Sequence, residues 1–274
     1  MTKIQAYKMD GLGNDFIIID RRKDKINLTE QQIINIADRK KGPGCDQLII
    51  IDKDKEKKTN AKITFYNSDG GETGACGNGS RCISYFLMNE KKLNKSKINT
   101  ESGILKAKLT GKTEVSVDMG IPNFDWQKIP LVKKMNPSKV KIKTKHFGIL
   151  TGYTLSVGNP HVIFFKDITF ELLKKIGPQI EHHAFFPKRC NVTFAEVMNK
   201  KNIAVKVWER GAGLTLACGT AACATAVAAS KLGLSGKKVN IHFKNGTLYI
   251  EWAKDKHIIM TGSVSIIKNI SLKI

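Results

Sequence analysis

Six cysteines punctuate the 274-residue chain, and their spacing repeats. Cys45 and Cys190 lie 145 residues apart, Cys76 and Cys218 142, and Cys82 and Cys223 141. The middle pair carries its surroundings with it: GACGNGSRC at 74–82 and LACGTAAC at 216–223 each place a thiol beside a turn of small residues. Aligned on these two thiols, Gly71 meets Gly213, Thr73 meets Thr215, Tyr66 meets Trp208 and the Cys-Gly dipeptides coincide. Gly13-Asn14 likewise has a counterpart in Gly158-Asn159. Several matches in the same order along two halves indicate an internal duplication.

The chemistry follows from where such a thiol sits. Strand and loop precede Cys76 and Cys218, and a helix begins directly after each. Unpaired N–H groups and the positive end of the helix dipole gather there, so a thiolate is expected to be stabilised and a carboxylate can bind beside it. A duplicated fold can bring two equivalent thiols to one site. Such a pair suits inversion at carbon: one thiolate removes the α-proton from one face while the other thiol delivers a proton to the opposite face. The mechanism needs no cofactor, but it needs water excluded and the carboxylate held while negative charge develops. Cys45, Cys82, Cys190 and Cys223 read as small buried hydrophobes. No cysteine pair has zinc-knuckle or C-x-x-C spacing, so no metal is expected, and the thiols read as reduced.

The elements that must position these thiols are mostly strands. QAYKM, FIIID, QLIII and KITFY in the first half, and TLSV, HVIFF, IAVKVW, TLYIEW and HIIMTG in the second, are rich in β-branched and aromatic residues. A capping box, TEQQ, predicts a helix starting at Thr29. A second helix follows Cys76, with Cys82, Tyr85, Phe86 and Met88 toward one side. A third, alanine-rich, follows Cys218, runs to Leu232 and stops at Gly233.

Composition narrows the function classes. The net charge is +22, yet six of the 46 basic residues are arginine and the lysines are scattered. That describes a solvated surface rather than a nucleic-acid interface, and no RNA-binding signature, zinc finger or P-loop accompanies it. The most membrane-like run, ACGTAACATAVAA, has only thirteen residues, so no membrane span is expected, and the chain start carries no signal-peptide pattern. A cytoplasmic location is the expectation.

In order along the chain, GLGNDF, GPGCDQ, YNSDGGETGACGNGSRC, VGNPH, CNVTF and WERGAGLTLACGTAACA resemble the diaminopimelate epimerase family, over essentially the whole sequence. The resemblance implies an α+β fold of two pseudo-symmetric domains, each a curved, barrel-like, mostly antiparallel sheet around a central helix, with the site in the cleft between them. The domains would be residues 1–118 with 264–274, the last strand returning to the first domain, and residues 119–263. It implies pyridoxal-phosphate-independent interconversion of LL- and meso-diaminopimelate, Cys76 and Cys218 acting as the catalytic pair. Gly77, Asn78, Gly219 and Thr220 match the positions that hold the α-carboxylate. Asn14, Gln47, Asn67, Asn159, Asn191, Glu209 and Arg210 match the other substrate contacts, and His161 and Glu209 match positions that tune catalysis. Two residues depart from the usual pattern: Ala221 stands where glycine is common, and Cys45 where alanine is frequent. A proline or hydroxyproline racemase is the competing enzyme; outside the enzymes, an RNA-associated module would suit the net charge and a metal-binding protein the cysteine count. The expected partner is a small-molecule substrate, with a homodimer left open.

Overall fold

The computed structural model describes residues 3–24, 26–74 and 76–274. Contacts divide the chain into two units, one containing the chain up to Val117 together with Gly262–Ile274, the other Asp118–Thr261. In chain order the elements begin with β1 (Lys3–Gly11), β2 (Asn14–Asp20), α1 (Glu30–Ala37), β3 (Gln47–Asp52), β4 (Ala61–Asn67) and β5 (Glu72–Thr73). Then come α2 (Gly77–Lys91), β6 (Lys95–Thr100), β7 (Gly103–Leu109) and β8 (Glu114–Asp118). The second unit holds β9 (Val140–Thr144), β10 (Gly148–Ser156), β11 (Pro160–Phe164), α3 (Phe170–Glu181), β12 (Asn191–Asn199), β13 (Asn202–Glu209) and β14 (Gly213–Thr215). It continues with α4 (Gly219–Lys231), β15 (Lys238–Phe243), β16 (Gly246–Trp252) and β17 (Ile258–Ser263), before β18 (Lys268–Lys273) closes the chain.

The duplication is visible in the pairing. In the first unit β1 pairs β2 antiparallel, β2 pairs β3 in parallel, β3 pairs β4 antiparallel, and β4 pairs β6 in parallel before the β6–β7 hairpin. The second unit repeats this with β10, β11, β12, β13, β15 and β16. Each parallel step needs a crossover, and a helix supplies it: α1 and α3 link the first parallel pair of their units, α2 and α4 the second. The short strands β5 and β14 occupy matching places on β4 and β13. β18 returns to pair with β1 over Lys3–Lys8, as β9 flanks β10.

Each sheet curves about one buried helix. α4 touches β10, β11, β12, β15 and β16, and Ala221–Ala229 are all buried. A helix so enclosed cannot be amphipathic, and its run of alanines lets strands approach on every side. α2 is buried from Gly77 to Ser84 and again over Phe86–Met88. Here a glycine makes room: a Cβ on Gly79 would lie 2.7 Å from Phe65 Cε1 and 3.3 Å from both Ile49 Cδ1 and Phe16 Cε1. Overpacking of this kind costs about 1–3 kcal/mol, partly offset by the roughly 1 kcal/mol helix advantage of alanine. Gly79→Ala is therefore expected to lower the chemical denaturation midpoint, and an unchanged midpoint would show that this helix is not tightly sheathed.

Thr29 caps α1 with both bonds of the predicted capping box, and α4 ends with Leu232 as its cap and Gly233 at φ +70°. The sequence reading did not anticipate α3. Its signal is weak because Pro178 stands within the last turn, though Thr169 caps its start through Leu172 N–H. Among the described residues no helix is long and apolar enough to cross a membrane, and no group of three or more His, Cys, Asp or Glu side chains could hold a metal ion.

Candidate active site

In the first unit the β1–β2 hairpin turns through Leu12 and Gly13, both at positive φ (62° and 81°), and presents Asn14 opposite Gly11. This is the two-residue geometry whose twist suits a hairpin, and glycine is the residue that adopts it freely. Asn14 Nδ2 donates to Asp46 Oδ2 at 2.9 Å. A carboxylate only accepts, so the amide is fixed with Oδ1 facing the other way. There it accepts from Asn78 Nδ2 at 3.4 Å and from the Cys76 thiol at 3.7 Å. Asp46 is itself anchored by Arg39 Nη2 at 2.8 Å. Neighbouring Asp15 pairs with Arg39 and Lys8; against the cost of burial, those bonds hold it down at about 2.

Cys76 is the N-cap of α2, at φ −138°, ψ 114°, and its sulfur accepts from Gly79 N–H at 3.3 Å. Gly77 and Asn78 form the first buried residues of the helix. The β3–β4 register sets Gln47 against Asn67, and Gln47 Nε2 donates to Asn67 Oδ1 at 2.9 Å. Gln47 Oε1 is buried with no partner among the described residues.

The second unit repeats the arrangement with different neighbours. Cys218 caps α4 at φ −137°, ψ 111°, within three degrees of Cys76 in both angles, and is 5% exposed. Its sulfur lies 3.5 Å from Thr220 Oγ1, with the Glu209 carboxyl beside it. Asn159 follows Gly158, which sits at φ +83°, and donates to Thr220 Oγ1 at 3.3 Å. Asn159 Oδ1 is 2.8 Å from His161 Nε2. Because that oxygen accepts, the ring proton lies on Nε2. Nδ1 is then an acceptor, buried without a partner among the described residues. Burial, reinforced by the Arg210 guanidinium, pulls His161 down to about 3, so the ring is neutral.

Register also places Asn191, which pairs in parallel with His161. Its amide donates to Pro160 O at 3.0 Å and accepts from Arg210 N–H at 3.0 Å. Glu209 and Arg210 lie at the end of β13, in a turn closed by Ala212 N–H to Glu209 O at 3.2 Å. Arg210 Nη1 reaches Lys188 O at 3.3 Å. Glu209 Oε1 accepts from Thr215 Oγ1 at 2.6 Å. Burial raises the Glu209 carboxyl above its usual range, opposed by the bonds from Thr215 and Cys218.

Cys218 corrects one expectation. The helix N-terminus does not make it a thiolate here: burial and the adjacent Glu209 carboxylate raise its pKa well above the ordinary thiol value, outweighing the helpful contacts from Thr220 and Ala221. Burial likewise pushes Cys45 up to about 12 and raises Cys82 and Cys190 as well.

Within each unit several candidate residues are linked: Asn14 joins Cys76 to Asn78, Gln47 joins Asn67, and Thr220, Asn159 and His161 form a chain from Cys218 with Glu209 beside it. Sequence reasoning missed Asp46, Arg39 and Thr215, which hold these groups. Thr215 could have been found, since it mirrors Thr73 in the repeat.

The arrangement has known relatives. The sequence model of the family described as diaminopimelate epimerase matches residues 6–124 and 153–267, one segment in each half. The diaminopimelate epimerase of Pelagibacter ubique (strain HTCC1062) is 51% identical over 99% of this chain and 99% of its own length. That of Caulobacter vibrioides (strain NA1000 / CB15N) is 43% identical over 94% of this chain and 93% of its own. Among solved structures, a hydroxyproline epimerase from Agrobacterium vitis, with trans-4-hydroxy-L-proline bound, shares the fold at TM-score 0.66. It covers 98% of this chain and 93% of its own at 13% identity. With relatives this similar over nearly its full length, and a family match in both halves, the chain belongs to the diaminopimelate epimerase family.

Proposed function

We propose that this protein is an isomerase that interconverts LL-2,6-diaminopimelate and meso-2,6-diaminopimelate, a step toward lysine and peptidoglycan precursors. The observation that carries the reading is the pair of N-cap thiols, Cys76 and Cys218, held with matching backbone geometry at the starts of two equivalent buried helices. One thiol takes the α-proton as the other supplies a proton to the opposite face, and the roles exchange for the reverse reaction. The helix N–H groups around Gly77, Asn78, Gly219 and Thr220 bind the α-carboxylate, where they also stabilise the charge that develops on deprotonation. Asn14, Gln47, Asn67, Asn159, Asn191, Glu209 and Arg210 recognise the remaining polar groups, the unpaired Gln47 Oε1 being suited to accept from an ammonium. His161, neutral and aligned by Asn159, supports Glu209 in tuning the chemistry beside Cys218. No cofactor enters this scheme. The reading places the enzyme in the cytoplasm, and light scattering will show whether it assembles as a homodimer.

The deciding experiment is proton-to-deuterium exchange of LL-diaminopimelate in heavy water with no added cofactor. Appearance of the meso isomer with deuterium at one α-carbon is expected; absence of both exchange and inversion would overturn the reading. Proline with its single carboxylate would leave Arg210 and much of the asparagine set without a role, so proline is expected to be inert in the same assay.

Arg210 gives a second prediction. Its backbone N–H, rather than its side chain, is bound by Asn191, so the turn survives a side-chain exchange. Lysine keeps the charge but loses the planar fork suited to a carboxylate. Arg210→Lys is expected to raise KM for diaminopimelate about 10- to 150-fold, the loss of one charge-assisted bond of about 1.5–3 kcal/mol. An unchanged KM would remove Arg210 from the binding set.

A further inference from the structure

Glu209 and Arg210 are flanked by two donors that converge on one buried carboxylate. Trp208 Nε1 donates to Glu181 Oε2 at 2.7 Å, and Gly211 N–H donates to Glu181 Oε1 at 2.9 Å. Glu181 is the last residue of α3 and only 3% exposed. Buried carboxylates are rare without partners, and this one spends one oxygen on each side of the Glu209-Arg210 pair. The packing underneath is equally specific. A Cβ on Gly177, one helical turn before Glu181, would lie 2.6 Å from Trp208 Cγ, so the indole lies flush against α3 with its N–H at the carboxylate. Gly211 sits at φ +76°, the conformation that glycine takes readily at the third position of such a turn. Asn191 takes the intervening Arg210 N–H. The turn's successive backbone donors at 210 and 211 are thus met by side chains from β12 and α3.

We infer that Glu181 is a positioning residue of the reaction: by bracketing the turn between Trp208 and Gly211, it fixes where the Glu209 carboxylate meets Cys218 and where the Arg210 side chain starts. The inference rests on the epimerase reading for its kinetic consequence. Both donors face Glu181 and neither can accept, so an isosteric amide cannot substitute. In Glu181→Gln one partner keeps an oxygen while the other meets an NH₂ group, and the turn must shift. Displacement of about 1 Å at a reacting group can cost up to about 100-fold, so kcat/KM for diaminopimelate is expected to fall about 10- to 100-fold. Both parameters should change: KM rises through Arg210 and kcat falls through Glu209. A merely structural carboxylate would lower stability and leave the kinetics of the folded protein alone.

The test joins kinetics to a direct view of the bonds in ¹⁵N-labelled protein. Trp208→Phe assigns the indole resonance of Trp208 among the three tryptophans of the chain. In the unaltered protein that N–H is expected downfield and slow to exchange, and the Gly211 amide protected. In Glu181→Gln at least one of these signatures is lost, together with the combined change in KM and kcat. Folded Glu181→Gln protein with unaltered KM and kcat overturns the inference, as does a Trp208 N–H that exchanges freely in the unaltered protein. Should Glu181→Gln fail to fold, Trp208→Phe serves in its place, since it keeps the ring against Gly177 and deletes one donor. It is expected to shift KM and kcat in the same direction by a smaller factor, and unchanged values overturn the inference. A protein that does not epimerise diaminopimelate at all would refute the functional reading instead, while the two amide signatures would still report on Glu181.

Discussion

Cys76→Ala and Cys218→Ala are each expected to abolish epimerisation, lowering turnover by at least about 10³-fold. A general acid or base contributes typically about 10²- to 10⁴-fold, and inversion requires both in the same passage, so losing either sulfur halts the reaction at the upper end of that range. The folded state should tolerate both changes. Each cysteine is an N-cap with extended backbone, and alanine at an N-cap costs about 1 kcal/mol where a cap bond is lost. That applies to Cys76, whose sulfur accepts from Gly79 N–H; the contact of Cys218 with Ala221 N–H is weaker, so the cost there is smaller. Loss of activity in protein with near-native circular dichroism is thus the expected result for both. Serine should rescue poorly, because a hydroxyl is a far weaker acid than a thiol. The measurement is conversion of LL- to meso-diaminopimelate followed by NMR, and ordinary turnover by either alanine variant would end the two-thiol mechanism.

Much of this was legible from residue types alone because a duplication tests itself. The offset shared by Cys76 and Cys218 located both helix starts, and the structure repeats not only the strands but the order of parallel and antiparallel pairings. The capping box at Thr29 and the glycine stop at Gly233 are local signals, written within a few residues, and each matches the structure. What stayed hidden depends on distant partners. Nothing adjacent in sequence says that Asp46 fixes the amide of Asn14, or that Glu181 reaches Trp208 and Gly211, since both depend on crossovers of some thirty residues. The raised pKa of Cys218 stayed hidden for the same reason. A helix N-terminus is a sequence-local feature, whereas the carboxylate that opposes it arrives from β13.

Glu209 carries the other large expected effect. Its carboxyl lies beside the Cys218 thiol, and burial disfavours the anion of each. Moving the proton from sulfur to carboxylate leaves the pair with the same single negative charge, so to first order the burial cost cancels. What remains is the intrinsic gap between a thiol, about 8.5, and a carboxyl, about 4.3, which keeps the resting proton on sulfur; the local donors adjust it, Thr215 favouring the carboxylate and Thr220 with the Ala221 N–H favouring the thiolate. Such a pair titrates as a unit, and Glu209 is placed to take the Cys218 proton as the thiol becomes the base. Glu209→Gln keeps the shape and removes the acceptor. The expected outcome is a fall in kcat of about 10²- to 10³-fold. The pH profile gives the sign. A carboxyl whose pKa is raised is protonated, and unable to accept, at a higher pH than usual, so activity of the unaltered enzyme should fall as pH drops through that raised value. In Glu209→Gln this acid limb should vanish, and the residual rate should climb with pH as Cys218 ionises unaided. The opposite idea is that Glu209 merely burdens the thiol by repelling its anion. It predicts that the amide frees the thiolate, leaving kcat equal or higher with the acid limb intact, and that result would remove Glu209 from proton transfer.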